Sequence, residues 1–372
     1  MPIPVAHKPE TELLPTIDEL LKQAVGRRAS DIHLSSGNLV RLRIDGVLLE
    51  LAELPKVSDS WLRQQLSSIM STKLLRGYEE THEADFSHAV AGYGRFRVNA
   101  FQQRGALAAV FRVIPSKILT LEDLGAPPVF EDLANRKKGL ILVTGPTGSG
   151  KSTTLTAIID HINRTRREHI VTIEDPIEFT HESKLSLINQ REVGEDTNSF
   201  AEALKRALRQ DPDVLLVGEL RDQETISTAL TAAETGHLVF GTLHTQSAAK
   251  SIDRIVDSFP GAQQNQVRSQ LSGTLQAVIS QALVRKVGGG RIAANEIMIR
   301  TNAIANLIRK DDLGQLYSEI QMGTRHGMRT MDQHLKELAT KGLVDKDEVM
   351  PLLTDKSALD GISLVRDSDW SS

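Results

Sequence analysis

Eight residues from Gly145 to Ser152, GPTGSGKS, directly follow the apolar run GLILVT and open onto TTLTAIIDHI, whose apolar spacing is helical. This glycine-rich turn between strand and helix constrains the chain more than any other feature, because it fixes a local order and points a helix dipole at one place. Gly145, Gly148 and Gly150 let the backbone curl so that successive N–H groups converge, and the helix adds its positive end there. Such a concavity binds a polyphosphate. Lys151 would reach the β- and γ-phosphates of a nucleoside triphosphate, and Ser152 would ligate Mg²⁺. Pro146, Thr147, Ser149 and Thr153 belong to the same nucleotide-binding set. The alternative, a turn that binds nothing, is outweighed by the full pattern in its strand and helix context.

The chain has 372 residues, 40% of them hydrophobic, enough for a sizeable core and a length that favours two or three domains. No run of about 18 apolar residues exists to span a bilayer, and MPIPVAHKPE lacks the basic flank and apolar stretch of an export signal. The cytoplasm is the expected compartment. With no cysteine there are neither disulfides nor thiolate metal sites. A net charge of -4 supplies no global basic field for nucleic acid or anionic lipid, although local clustering escapes such a count.

Residues 1–15 read as a loose tail and Ile17 to Val25 as a helix. Strand-like stretches follow at Val40 to Ile44, Val47 to Leu51, Ala84 to Val90, Gly94 to Gln102 and Ala108 to Val113, with a helix over Asp59 to Met70. Residues 16–114 thus form a small α/β domain with an antiparallel sheet. The segment 115–130, with three prolines, is the expected linker. From 131 to 300, GLILVT, HIVTIED, DVLLVGE, HLVFGTLHT and RIAANEIMI alternate with helices, as in a doubly wound parallel sheet whose ligands sit at the carboxyl ends of the strands. Residues 301–372 read as a helical bundle, with helices at Ala303 to Arg309, Leu313 to Gln321 and Met331 to Leu343.

Three further segments carry chemistry. DVLLVGELRD is a buried strand ending in Glu219, with Gly218 where many P-loop ATPases place an Asp; Glu219 is the candidate to polarise an attacking water. TIEDPIEF puts Glu174 and Asp175 before a proline that stops the strand; the two carboxylates either hold water or Mg²⁺ near the γ-phosphate or cap a turn. ETGHLVFGTLHT carries His237 at its start and His244 past its end, where His244 can sense the γ-phosphate.

In that order and spacing, GPTGSGKS, TIEDPIEF, VGELRD and ETGHLVFGTLHT resemble the Walker A, Asp box, Walker B and His box of the secretion ATPase superfamily, the motors of type II and type IV secretion and type IV pili. SDIHL, GYGRFRVNAFQQRG and VFRVIP are similar to the family's N-terminal domain, so the resemblance covers nearly the whole chain. Its pilus-retraction subgroup is nearest: AIANLIRK (Ala303 to Lys310) is similar to that subgroup's AIRNLIRE, with Ala305 and Lys310 departing from it, and GMRTMDQHL follows. The resemblance implies a PAS-like N-terminal domain, a RecA-like P-loop NTPase domain and a C-terminal helical bundle.

It also implies a cytoplasmic homohexamer, peripheral at the inner membrane, working on a pilus platform protein with ATP and Mg²⁺ and without nucleic acid. Nucleotide would lie between protomers, which gives the arginines of the first domain a role across the boundary. Arg104 and Arg112 are the first choices, then Arg95 and Arg97, with Arg209 and Arg221 supporting the site or ring interface. Glu174 and His244 would tune the site, and Leu307 and Ile308 would couple hydrolysis to movement. Competing readings are an accessory pilus or secretion motor, a RecA-like nucleic-acid translocase, and a regulatory module without turnover.

Overall fold

The computed structural model describes residues 14–114 and 117–359. The expected tail over 1–15 therefore lies almost wholly outside the described residues, as do Pro115 at the head of the linker and the end of the 301–372 region. Two compact units divide between Lys117 and Ile118, with Pro176–Phe179 grouped with the first.

The first unit opens with α1 (Ile17–Gly26), whose first turn is closed reciprocally: Thr16 Oγ1 accepts the Glu19 amide and the Glu19 carboxylate accepts the Thr16 amide at 2.8 Å. There follow β1 (Asp31–Ser35), β2 (Arg41–Ile44), β3 (Val47–Glu50), α2 (Asp59–Ile69), α3 (Thr72–Thr81), β4 (Glu83–Val90), β5 (Gly94–Gln103) and β6 (Ala106–Ile114). The strands form one antiparallel sheet in the order β3-β2-β1-β6-β5-β4. Alternation along β5 buries Phe96, Val98 and Ala100 in a core with Ile32, Leu62 and Phe111, and leaves Arg97 exposed on the other face. β1 and α3 are additions to the elements expected from periodicity.

The second unit contains α4 (Val129–Ala134), β7 (Gly139–Thr144), α5 (Lys151–Thr165), β8 (His169–Glu174), β9 (Leu187–Glu192), α6 (Phe200–Ala207), β10 (Val214–Val217), α7 (Gln223–Thr235), β11 (Leu238–Leu243), α8 (Ala248–Asp257), α9 (Gly261–Thr274), β12 (Leu275–Arg285), β13 (Arg291–Ile299), α10 (Asn302–Lys310), α11 (Leu316–Met322), α12 (Met331–Thr340) and α13 (Lys346–Val349). Its seven-stranded sheet runs β13-β12-β7-β11-β10-β8-β9. The strands β7, β10 and β11 are buried throughout, which explains their predominantly apolar sequences. One expectation needs correction: RIAANEIMI is β13, which pairs antiparallel with β12 and is not one of the parallel strands. β12 itself, parallel to β7, and the edge strand β9, parallel to β8, were not expected. Part of the tail packs on the β12–β13 hairpin, where Val284 and Ala294 share a core with Leu335, Leu338 and Val349.

Candidate nucleotide site

The parallel direction of β7, β11, β10 and β8 brings their carboxyl ends to one edge in that spatial order. With strands about 4.8 Å apart, the loop after β7 and the end of β10 are about 10 Å from one another across β11. Three of the four motifs thereby flank the phosphate loop without any long excursion of chain.

In that loop Gly145, Gly148 and Gly150 have φ of 143°, 79° and 87°, a region costly for other residues. A Cβ on Gly145 would also stand 2.3 Å from the Gln281 carbonyl oxygen. Lys151 is the first residue of α5, and its ammonium donates to the carbonyls of Gly145 at 2.7 Å and Pro146 at 3.1 Å, which holds it against the loop's rim. Ser152 and Thr153, both half-buried, lie in the same helical turn.

Glu219, just past β10, is the centre of a trio of polar side chains. Its Oε2 meets Arg221 Nη2 at 2.8 Å and its Oε1 lies 3.3 Å from His244 Nε2. The sequence treats these three as separate choices; the structure joins them. Gly218 is closely packed: a Cβ there would approach the Ile173 carbonyl to 3.1 Å and Glu174 Cα to 3.3 Å, so a side chain fits only if the ends of β8 and β10 give by a few tenths of an ångström. The Gly218 carbonyl accepts the Thr242 hydroxyl, and the Leu220 amide donates to the Thr242 carbonyl at 3.0 Å, which ties the Glu219 turn to β11.

At the end of β8, Glu174 Oε1 accepts Thr172 Oγ1 at 2.6 Å and Gln190 Nε2 at 3.0 Å. Asp175 is exposed. Thr172 and Gln190 escaped sequence reasoning; alternation around the strand end places Thr172 beside Glu174, but nothing local points to Gln190, which arrives on β9.

Several expected residues are elsewhere. His237 precedes β11 at the amino edge of the sheet, where its Nδ1 meets the Ala232 carbonyl at 3.0 Å and finishes α7; parallel strands put it at the far end from His244. Arg209 is exposed in the turn between α6 and β10, also at the amino edge. Ile308 is completely buried in the core, whereas Leu307 sits partly exposed at its margin and Ala305 is 3% exposed. The helix α10 therefore turns Ile304, Ala305 and Ile308 inward, and Ile308 is not available to a partner.

The arginines of the first unit occupy two settings. Arg43, Asp31, Arg112, Arg97 and Ser87 stand in register across β2, β1, β6, β5 and β4, on the face opposite the core. Arg112 is 69% exposed on its side chain, yet its Nε donates to Asp31 Oδ1 at 2.8 Å. Burial pushes the Asp31 carboxyl up, but hydrogen bonds from Arg112 and Ser30 outweigh it and hold the group below its ordinary value. Asp31 was visible only within SDIHL. Arg95 donates to Ser87 Oγ and is half-buried. Arg104 is exposed at the tip of the β5–β6 hairpin with φ of 51°, followed by Gly105 at 76°, a pair of left-handed residues that suits a tight hairpin but is unusual for arginine.

The family model described as "Type II/IV secretion system protein" matches residues 7–310. The type IV pilus retractation ATPase PilT of Pseudomonas aeruginosa is 56% identical over 331 residues, covering 89% of this chain and 96% of the relative. A twitching motility protein of Neisseria gonorrhoeae is 52% identical over 324 residues, with 85% and 86% covered. Among solved structures, the pilus retraction motor PilT with bound ADP superposes with a TM-score of 0.87 at 51% identity, over 93% of this chain and 99% of that one.

Proposed function

The chain belongs to the type II/IV secretion system protein family, and from that premise we propose that it is an ATP-hydrolysing motor that drives retraction of a type IV pilus and thereby twitching motility. The observation that carries the catalytic part is the convergence of the phosphate loop, His244, Glu219 and Glu174 on one sheet edge.

The loop N–H groups and the α5 dipole bind the phosphates, and Lys151 exchanges its two carbonyl contacts for the β- and γ-phosphate oxygens. The hydroxyl of Ser152, beside Lys151 in the first helical turn, would ligate Mg²⁺, which would neutralise phosphate charge when bound. Glu219 orients the attacking water by accepting its hydrogen bond. Arg221 and His244 hold that carboxylate from two sides, and His244, half exposed, is the group able to sense phosphate and pass the change to Glu219. Glu174 is fixed from below by Thr172 and Gln190 to support the same edge.

The motor works as a homohexamer in the cytoplasm against an inner-membrane platform protein of the pilus machine. No helix among the described residues is long and apolar enough to cross a membrane. The arginines of the first unit act on nucleotide held by a neighbouring protomer. This division of labour takes residues 16–114, 131–300 and 301–372 as its domains.

The test has a biochemical and a cellular arm. Lys151→Ala should abolish nucleotide binding, whereas Glu219→Gln should keep it and lose turnover by about 10²- to 10⁴-fold, the range for general-base contributions. In cells, deletion should leave excess pili and no twitching, and neither variant should restore it. Wild-type turnover by Glu219→Gln would remove the water-orienting role, and normal motility in the deletion strain would remove retraction.

A further inference from the structure

Gln281 interrupts an apolar strand, AVISQALV, and its side chain is directed at the phosphate loop. It lies on β12 one residue beyond the Ser280–Thr144 pairing, so it stands just past the end of β7, where the loop begins. Its residue is 3% exposed. Nε2 donates to the Ser149 carbonyl at 2.7 Å, and Oε1 accepts the Thr154 hydroxyl of α5 at 2.9 Å. One amide thus grips the loop and the helix that follows it. Two of the loop's glycines are packed on the same residue: a Cβ on Gly145 would strike the Gln281 carbonyl, and one on Gly150 would lie 2.8 Å from Gln281 Nε2.

The geometry has a chemical consequence. In a planar trans peptide the carbonyl of Ser149 and the N–H of Gly150 point in opposite directions. Tethering that carbonyl down onto Gln281 therefore turns the Gly150 N–H up, into the concavity that receives phosphate. A carbonyl oxygen only accepts, so the nitrogen of Gln281 has to face it, and the side-chain oxygen has to face Thr154.

That orientation is set from outside the loop. Asn295 on β13 places Nδ2 3.5 Å from Gln281 Oε1, a long contact, while its Oδ1 accepts Arg329 Nη2 at 3.0 Å. A guanidinium offers only donors, so it fixes which end of the Asn295 amide faces Gln281. The Asn295 backbone N–H donates to His334 Nδ1 on α12 at 2.8 Å; burial pushes His334 down to about 3, so the ring is neutral and accepts. Arg329 is bound by its backbone to Ile297 on the same strand, with the Ile297 amide donating to its carbonyl at 2.8 Å.

We infer that Gln281 is the positioning residue of the phosphate loop, and that Arg329, acting through Asn295, lets the C-terminal segment set how well the loop binds nucleotide. This rests on the ATPase reading above. Both contacts exist before and during the reaction, so their loss should weaken binding more than chemistry.

The experiment uses the full chain, a fluorescent ADP analogue for affinity, and Mg·ATP turnover for KM and kcat. Gln281→Met, close in volume but unable to hydrogen-bond, should lose affinity and raise KM about tenfold while kcat falls less than threefold. Arg329→Met should lose affinity about threefold. The double variant should bind no more weakly than Gln281→Met alone, because both changes cut one chain; two independent packing losses would multiply instead. If Gln281→Met does not fold, Thr154→Val, which keeps its shape and cuts one arm of the grip, should still lose affinity about threefold. Unchanged affinity in a folded Gln281→Met or Thr154→Val, or multiplicative losses in the double variant, would overturn the inference. Wild-type protein that neither bound the analogue nor turned over ATP would instead sink the ATPase reading itself.

Discussion

The two units use their sheets in opposite ways. In the second, parallel strands collect the ends of β7, β11, β10 and β8 at one edge, so a loop, a histidine and two carboxylates meet within a single chain. In the first, antiparallel strands alternate their ends, and what the register assembles is a row across the sheet: Arg43, Asp31, Arg112, Arg97 and Ser87. An edge closes around a small ligand; a row of three arginines set around one aspartate needs a surface brought to it. The contrast explains why the carboxylates find partners locally while Arg104 at a hairpin tip does not need one.

If that contrast is right, the largest effect should come from separating the two functions onto different subunits. Arg104→Ala or Arg112→Ala should lower turnover by about 10³- to 10⁵-fold, as for an arginine supplied in trans. Mixing such subunits with Lys151→Ala subunits should restore part of the activity, since some sites would combine an intact loop with an intact arginine. No recovery, with subunit exchange shown independently, would mean the basic row serves only its own sheet. Of the two, Arg112 is already held by Asp31, so Asp31→Asn should mimic part of its loss if the ion pair aims the guanidinium.

How far the sequence reveals this arrangement differs between the units. β7, β10 and β11 are legible because strands buried on both faces are predominantly apolar, β8 because its buried centre is, and their motifs follow at the ends. β12 is not, because LQAVISQALVR follows α9 directly, with Gly273 as the one stop signal at the junction, and an apolar run that abuts a helix reads equally well as more helix. β9, LINQRE, is an edge strand with four of its six residues polar, and β1 is five residues long. Missing β12 also hid Gln281, although a glutamine in an apolar run was the available signal, since buried polar residues carry more information than buried apolar ones. In the tail, helical spacing alone made Leu307 and Ile308 equivalent; only the packing separates a core residue from one at its margin.

That separation gives the next largest effect. Ile308→Ala should destabilise the second unit by about 2–5 kcal/mol, the cost of a cavity in a fully packed core, as read from denaturant unfolding. Leu307→Gln should cost less, keep most of the ATPase and still abolish retraction, if the margin of α10 couples hydrolysis to movement. Equal stability losses in the two variants would reduce Leu307 to core packing, and intact twitching in Leu307→Gln would end its coupling role.

Acid should probe the second unit more gently. Burial holds His181 at about 4 and His334 at about 3, against about 6.5 for a free imidazole. Below pH 6.5 the unfolded chain binds protons that these folded sites refuse, so stability is full above that value and falls as the pH drops toward 4. The slope is at most about 1.4 kcal/mol per pH unit for each ring. A stability of the second unit that stayed flat from pH 6.5 to 5 would show that neither ring is held neutral.

The smallest effect tests the two edges of a single sheet against each other. His244 and His237 bracket β11, six residues that run from the amino edge to the carboxyl edge. His244 reaches Glu219, whereas His237 is spent on the Ala232 carbonyl at the end of α7. Removing His237 with alanine should therefore cost about 1 kcal/mol, the value of one hydrogen bond, and leave kcat and KM within twofold of wild type. His244→Ala should do the reverse, lowering kcat with little change in unfolding free energy, because its half-exposed ring stabilises the fold little. A catalytic defect in His237→Ala larger than in His244→Ala would mean that strand direction does not decide which histidine serves the site.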